Sequence, residues 1–399
     1  MAIINPMIVQ NKKFILVFAL LMGIKILITN LVGFAKEDLQ LDYRAKSLIT
    51  FGVDERGMKW PMTFRNSSGL EMPLPTYFYI PIKIASKENA LLIADVLILL
   101  IVSIALMKMA TSWQATFPVL VSPILLWPGL WSEKIALICL ALYWLLNKKQ
   151  LKLKVLLFLI GLLSNPLFIW FVVLGELVRL VTTRQGWRWF LIVIGISVLY
   201  TFVINGTNYY RNELTKSFRE IEFINNTNKF RGYAEKAING SGRVFFNKSG
   251  QLTYFVSKSM YYLNPSFWFG KGDMNNASNS YLIPLFSIAS LLALGNYLMG
   301  KNNFNLWLIL FSAAVVPLIA NIPDSERFSW GMSSALVAMI ISRSKTYKLE
   351  LLMVILSLAI TITGIVTIPR QITQKIDVNE KPKLVLMSGD YFDIYSNEN

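Results

Sequence analysis

The chain has no histidine and only one cysteine, Cys139, among its 399 residues. Without histidine the commonest general base and the commonest zinc ligand are both missing, so proton transfer falls to Asp, Glu, Lys, Tyr or Arg. A single cysteine excludes an intramolecular disulfide and any multi-cysteine metal site. Acidic residues are also scarce, 23 against 39 Lys and Arg, and charged residues make up only 16% of the chain. Apolar residues fill the space, at 54% with a mean hydropathy of +0.50. That is too apolar for a soluble globular protein of this length, and an integral membrane protein is expected. In a soluble protein a formal charge of +16 would suggest nucleic acid. Here the distribution of the charge argues for orientation in a bilayer instead, and no nucleic-acid partner is expected.

Apolar runs predict eleven spans, at about 14–33, 90–107, 115–131, 134–147, 154–164, 166–182, 188–205, 281–299, 305–321, 328–342 and 349–368. The third to sixth are short for a hydrocarbon layer of ~30 Å, which takes about 20 helical residues. Ser164-Asn165-Pro166 separates two of them, and proline there predicts a hairpin of short helices rather than one long helix. With the N-terminus inside, fourteen cations from Lys12 to Lys348 fall on the cytoplasmic side against only Glu176 and Glu350. A single crossing at 154–182 would move Arg179, Arg184 and Arg188 outside, so the positive-inside rule favours eleven crossings. The first run follows Lys12 and Lys13 like a signal peptide, with Gly33-Phe34-Ala35 as a cleavage-like site. Its length and its internal Lys25 favour an uncleaved anchor.

The expected architecture is therefore an all-α integral membrane protein. Residues 1–368 would form a polytopic transmembrane domain and 369–399 an extracytoplasmic tail. Four polar regions share the outer face: 34–89, 206–280, 321–327 and the tail. The 206–280 loop is long enough for short helices lying on the membrane, with Phe245-Phe246 and Tyr261-Tyr262 as interfacial aromatics. The tail carries Leu384-Val385-Leu386 and Tyr391-Phe392, enough for a short strand or two.

The outer loops hold the residues able to do chemistry. Glu37 and Asp38 lie within a residue or so of a predicted helix end at the membrane surface, where a carboxylate can meet the head group of a lipid-linked sugar. Adjacent helical residues point about 100° apart, so one of the pair would face the site. The alternative is that both cap a helix over 39–50, favoured there by the positive dipole end, with Asp38, Asp42 and Lys46 at i, i+4 spacing as a solvated face. Asp54-Glu55-Arg56-Gly57 reads first as a turn with local ion pairing. Glu71, ahead of Pro73 and Pro75, is held in an extended segment that could aim its carboxylate at the site.

Two cations at predicted outer helix ends could reach a phosphate, Lys134 after Glu133 and Arg327 after Asp324-Ser325-Glu326. Arg327 is the better of them because guanidinium grips phosphate oxygens bidentately and stays charged, although it could instead pair with Glu326 or Asp324. Lys25 and Asp95 lie inside apolar runs. Buried charges there are costly and mark functional suspects, or they pair and staple two helices. Asp273, in Lys271-Gly272-Asp273 after Phe267-Trp268-Phe269, could contact a sugar or close an ordinary turn.

Several blocks in order resemble one family. Asp42-Tyr43-Arg44-Ala45-Lys46-Ser47-Leu48, then Thr50-Phe51-Gly52-Val53-Asp54-Glu55-Arg56-Gly57, then Met72-Pro73-Leu74-Pro75 resemble the first outer loop of bacterial membrane glycosyltransferases of the GT-C superfamily. These are relatives of the protein O-mannosyltransferases and aminoarabinose transferases. Arg243 to Lys248 and Asn264 to Asp273 resemble a second block, and Ser325-Glu326-Arg327 a third. The chain departs from the pattern in four ways. The acidic pair is reversed to Glu37-Asp38, Asp42 replaces a Gly, Met72 replaces a Pro or Lys, and the histidines of the later blocks are absent.

The resemblance implies inverting transfer of a sugar from a polyprenyl-phosphate donor to an acceptor hydroxyl on a protein, lipid or glycan. A carboxylate of the first loop, Asp38 or Glu37, would act as base. Arg327 and Lys134 would hold the donor phosphate, and Glu71, Glu133, Asp54, Glu55 and Asp273 would position sugar or acceptor. No cofactor is assigned, and the need for a divalent cation stays open. The expected location is the cell membrane, with the N-terminus cytoplasmic and the active loops outside, among membrane lipids. The rival reading is a carrier or flippase for a lipid-linked sugar, and a catalytically silent relative is a third. Carriers of this kind often show two similar halves, and none stand out in this chain.

Overall fold

The computed structural model describes residues 12–34, 36–54, 57–66, 69–110, 112–129, 131–146, 150–183, 186–204, 228–229, 268–269, 286–298, 325–342 and 348–366. Within those ranges the side chains of residues 12–14, 17, 32, 36–37, 65–66, 69–70, 113, 182–183, 325–332 and 364–366 lie outside what it describes. Within those bounds the chain is helical. The helices are α1 (Lys12–Val32), α2 (Lys36–Phe51), α3 (Pro73–Ser86), α4 (Ala90–Met109), α5 (Trp131–Leu145), α6 (Leu151–Ser164), α7 (Phe168–Thr183), α8 (Trp187–Val203), α9 (Ile288–Leu298), α10 (Ser325–Ser342) and α11 (Lys348–Val366). One small antiparallel hairpin, β1 (Phe64–Asn66) and β2 (Gly69–Glu71), pairs Phe64 with Glu71 and Asn66 with Gly69.

The expected helical class is observed, and eight of the eleven apolar runs coincide with the helices α1, α4, α5, α6, α7, α8, α10 and α11. The run at 281–299 contains α9, and 305–321 lies outside the described residues. The run at 115–131 differs from expectation. It is no continuous helix but two four-residue turns, Phe117–Leu120 and Pro123–Leu126, after a 3-10 turn at Trp113–Thr116. Pro118, Pro123 and Pro128 account for this: each removes an amide donor and crowds the preceding turn. By length and composition one stretch of the described residues qualifies as a membrane span, Pro73–Met109, which joins α3 to α4 through the bend at Lys87 (φ 40°). Phe18–Leu31, Trp187–Val203, Ile288–Leu298 and Ser333–Ser342 are apolar but shorter.

α5 is the central element. Residues 136–143 are all buried, which places the helix inside the bundle on every side. It packs against α10, α6, α4 and α7. Small residues let the first of these backbones approach: Ala136 and Ala141 on α5, with Ser333, Ser334, Ala335 and Ala338 on α10, are fully buried. α6 and α7 form the expected hairpin, because the Phe158 and Phe168 rings pack at a tilt near the turn while Lys154 pairs with Glu176 farther down. Asn165 makes the turn, with its side-chain oxygen accepting the Leu167 amide at 2.9 Å.

Candidate functional site

The first polar loop is built by α2, the hairpin and α3. α2 starts at Lys36, so Glu37 and Asp38 both fall in its first turn, where the positive end of the helix dipole favours carboxylates. Gly52 ends it: at φ +69° its amide bonds back to the Leu48 carbonyl at 3.0 Å, a conformation glycine adopts without a Cβ penalty. α3 starts with Pro73 at a position whose amide would have no helical partner.

Asp38 is 5% exposed. Its carboxylate rests against the backbone of Gly129, so close that a Cβ added there would lie 1.9 Å from Oδ2. Asp38 is therefore seated inward. The side chain of Glu37 lies outside the described residues.

The remaining loop carboxylates are engaged locally. Asp42 accepts from the Tyr79 hydroxyl and pairs with Lys83 at 2.7 Å and Lys46 at 3.4 Å. The solvated face expected for Asp38, Asp42 and Lys46 is not observed as such: Asp42 and Lys46 do pair, but α3 covers them, and Asp38 is buried. Glu71 ends the extended strand β2, and its carboxylate pairs with Arg44, which is itself buried with its guanidinium 4.4 Å above the Phe64 ring. Asp54 forms the turn read from sequence: its Oδ1 accepts the Met58 amide at 2.7 Å, and its carbonyl accepts the Gly57 amide at 3.0 Å. Tyr77 ties α3 to this turn by donating to the Pro61 carbonyl at 2.6 Å. Met72, a departure from the family pattern, is buried, and the Tyr200 hydroxyl of α8 donates to its sulfur at 2.8 Å.

Lys134 is buried, donates to the Trp127 carbonyl and lies 3.7 Å from Asp95. Its ammonium therefore faces the turn before α5, not an open helix end. Glu133 beside it is half-buried. Lys25 and Asp95 pair at 2.7 Å, the stapling alternative for these two charges. Thr29 Oγ1 and Trp131 Nε1 also donate to Asp95, at 3.1 and 3.2 Å.

Arg327 lies in the first turn of α10, with its side chain outside the described residues. Its helix packs along α5, which begins two residues after Gly129. Glu55 and Asp273 also fall outside the described residues, as do Phe245-Phe246, Tyr261-Tyr262 and the tail. Trp268 and Phe269, from the second family-like block, pack on Phe286 just ahead of α9. Among the described residues no group of three or more carboxylate or thiol side chains is gathered in a way that could hold a metal ion.

Sequence reasoning missed the role of Gly129 and the convergence of Lys25, Asp95, Trp131 and Lys134 at the turn before α5. The Pro128-Gly129 pair announces a turn, but nothing in it announces the carboxylate that sits on it. No family model, curated protein or solved structure matches the chain.

Proposed function

We propose that the chain is a polytopic membrane glycosyltransferase that moves a sugar from a polyprenyl-phosphate donor to an acceptor hydroxyl on the extracytoplasmic side. The observation that carries the reading is the buried Asp38 carboxylate at the start of α2, two turns of chain beyond the end of apolar α1. A carboxylate withdrawn from bulk water beside a membrane helix suits the task of taking a proton from an acceptor hydroxyl.

Embedding in a bilayer is supported by where the apolar surface lies. α8 exposes Leu191, Val198, Leu199, Phe202 and Val203, with Leu199 at 65%. α11 exposes Leu349, Leu352, Ile355 and Leu356, and α1 exposes Ile15, Leu16, Leu20 and Leu27. Continuous apolar faces of this extent on several helices suit lipid tails rather than water. Eleven crossings, with the broken 117–126 segment as one of them, remain the proposed arrangement, with the N-terminus cytoplasmic. Its prolines free backbone carbonyls, and three serine hydroxyls, from Ser122, Ser287 and Ser290, converge on the Pro118 carbonyl at 2.6–2.8 Å. That satisfies a broken helix where no water reaches.

In the reaction the acceptor oxygen attacks the anomeric carbon, a new C–O bond forms with inversion, and the bond from that carbon to the phosphate oxygen breaks. Asp38, or Glu37 beside it, takes the acceptor proton. Arg327 takes the charge that develops on the departing polyprenyl phosphate. Glu71, through its pair with Arg44, and Glu133 frame the acceptor side. A divalent cation stays open as an addition to these charges.

The second reading, a carrier for a lipid-linked sugar, draws on the broken 117–126 segment and the buried Lys25–Asp95 pair, both features of alternating-access carriers. Proteoliposomes given a polyprenyl-phosphate sugar and an acceptor separate the two. Transfer lost in Asp38→Asn or Glu37→Gln supports the enzyme, and undiminished transfer in both variants removes the assignment. Movement of the donor across the bilayer with no cleavage of its phosphate bond points to the carrier.

A further inference from the structure

The turn at 127–129 meets two buried ammonium groups and a carboxylate. Lys25 Nζ donates to the Leu126 carbonyl at 2.9 Å and the Trp127 carbonyl at 2.7 Å. Lys134 Nζ donates to the same Trp127 carbonyl. Asp95 lies between these two ammonium groups and takes Trp131 Nε1 and Thr29 Oγ1 as further donors. α1, α4 and the start of α5 are thereby fastened to one short stretch of backbone. At Gly129 the Asp38 carboxylate occupies the place of a side chain. A Cβ there would fall 1.9 Å from Oδ2, 2.4 Å from Cγ and 2.5 Å from Oδ1. Gly129 also has φ +71°, which any other residue would adopt under strain.

We propose that the 127–129 turn is the seat that fixes the Asp38 carboxylate, with Gly129 as a positioning residue and Lys25, Asp95 and Lys134 as the clamp on its backbone. Two cations and a carboxylate in an apolar bundle are costly unless fully paired. Here their joint product is a rigid backbone surface, not a charge presented to a ligand. The catalytic consequence rests on the reading of Asp38 as the base, since displacement of a reacting group by about 1 Å can cost on the order of 100-fold in rate. The geometric claim stands without it.

The test is a double-mutant cycle on the full chain in detergent, with thermal unfolding read by tryptophan fluorescence in wild type, Gly129→Ala, Asp38→Ala and the double variant. The strain at φ +71° acts in both backgrounds, whereas the collision needs the carboxylate. Gly129→Ala is therefore expected to lower the melting temperature in the wild type at least twice as much as in Asp38→Ala. Equal shifts overturn the proposal. If Gly129→Ala alone fails to fold, recovery by Asp38→Ala supports the seat and failure to recover overturns it.

In proteoliposomes, Gly129→Ala is expected to lower kcat at least tenfold with donor KM within twofold, and to cost nothing further in Asp38→Asn. A fall of the same factor in both backgrounds overturns the positioning role. Full transfer by Asp38→Asn removes Asp38 as base, while the unfolding cycle still decides the seat.

Discussion

The buried cluster between α5, α6, α7 and α8 gives the most quantitative prediction. Glu176 Oε1 accepts from the Tyr143 hydroxyl at 2.7 Å, Lys154 Nζ at 2.9 Å and Trp189 Nε1 at 3.2 Å, with Arg179 3.8 Å away. Lys154 and Glu176 are both nearly inaccessible. Glu176→Ala takes this acceptor from the buried Lys154 ammonium and the Tyr143 hydroxyl, while Trp189 Nε1 keeps the Tyr143 oxygen at 2.8 Å. Removing one partner of such a pair costs about 3–5 kcal/mol. The Tyr143 ring, 4.4 Å from Lys154 Nζ, returns about 0.5–2 kcal/mol of cation–π attraction, so the lower end of the range is expected.

Lys154→Met is milder, about 1–3 kcal/mol, because Glu176 keeps its phenol and indole donors and the nearby arginine. The pair changed together to Leu and Met leaves no orphaned charge and is expected to cost well under the sum of the single changes. Unfolding in detergent, followed through Trp189 within the cluster, measures all three. A Glu176→Ala protein within about 1 kcal/mol of wild type, or strict additivity in the pair, would refute the reasoning.

Two further outcomes are open to the same assay. Gly161→Ala places a Cβ 2.3 Å from the Phe168 ring and is expected to cost about 1–3 kcal/mol by overpacking. Gly23→Ala meets nothing within 4 Å inside α1 and is expected to be neutral or to gain about 0.5–1 kcal/mol; comparable losses at both sites would contradict the α6–α7 packing. Cys139 is buried on central α5, so a maleimide should leave it unlabelled in the folded protein and label it fully in SDS; rapid native labelling would displace α5 from the centre.

Much of this was legible in one dimension because helix formation in an apolar chain is local. Run length and proline placement located α1, α4 and α8 and the Asn165 break, and turn chemistry gave the Asp54–Gly57 hydrogen bonding. The Lys25–Asp95 pair was readable as one of two alternatives, since two opposite charges in neighbouring apolar runs have few partners. The segment after α4 was read as one continuous apolar run, and the structure breaks it into short turns. Hydropathy sums over residues and does not register that Pro118, Pro123 and Pro128 remove the hydrogen bonds a helix would need. Lys134 looked like an exposed helix-end cation, and only packing shows its ammonium turned onto a backbone carbonyl.

By itself the sequence determined the helical class, the positions of most helices and the shortage of groups able to move a proton, because these depend on residue type and near neighbours. Tertiary structure alone decided that Asp38 lies inward, what the described loop charges pair with, and that Asp38 rests on Gly129. The last of these contacts joins residues some 90 positions apart, and no local preference of the chain encodes where such distant backbones meet.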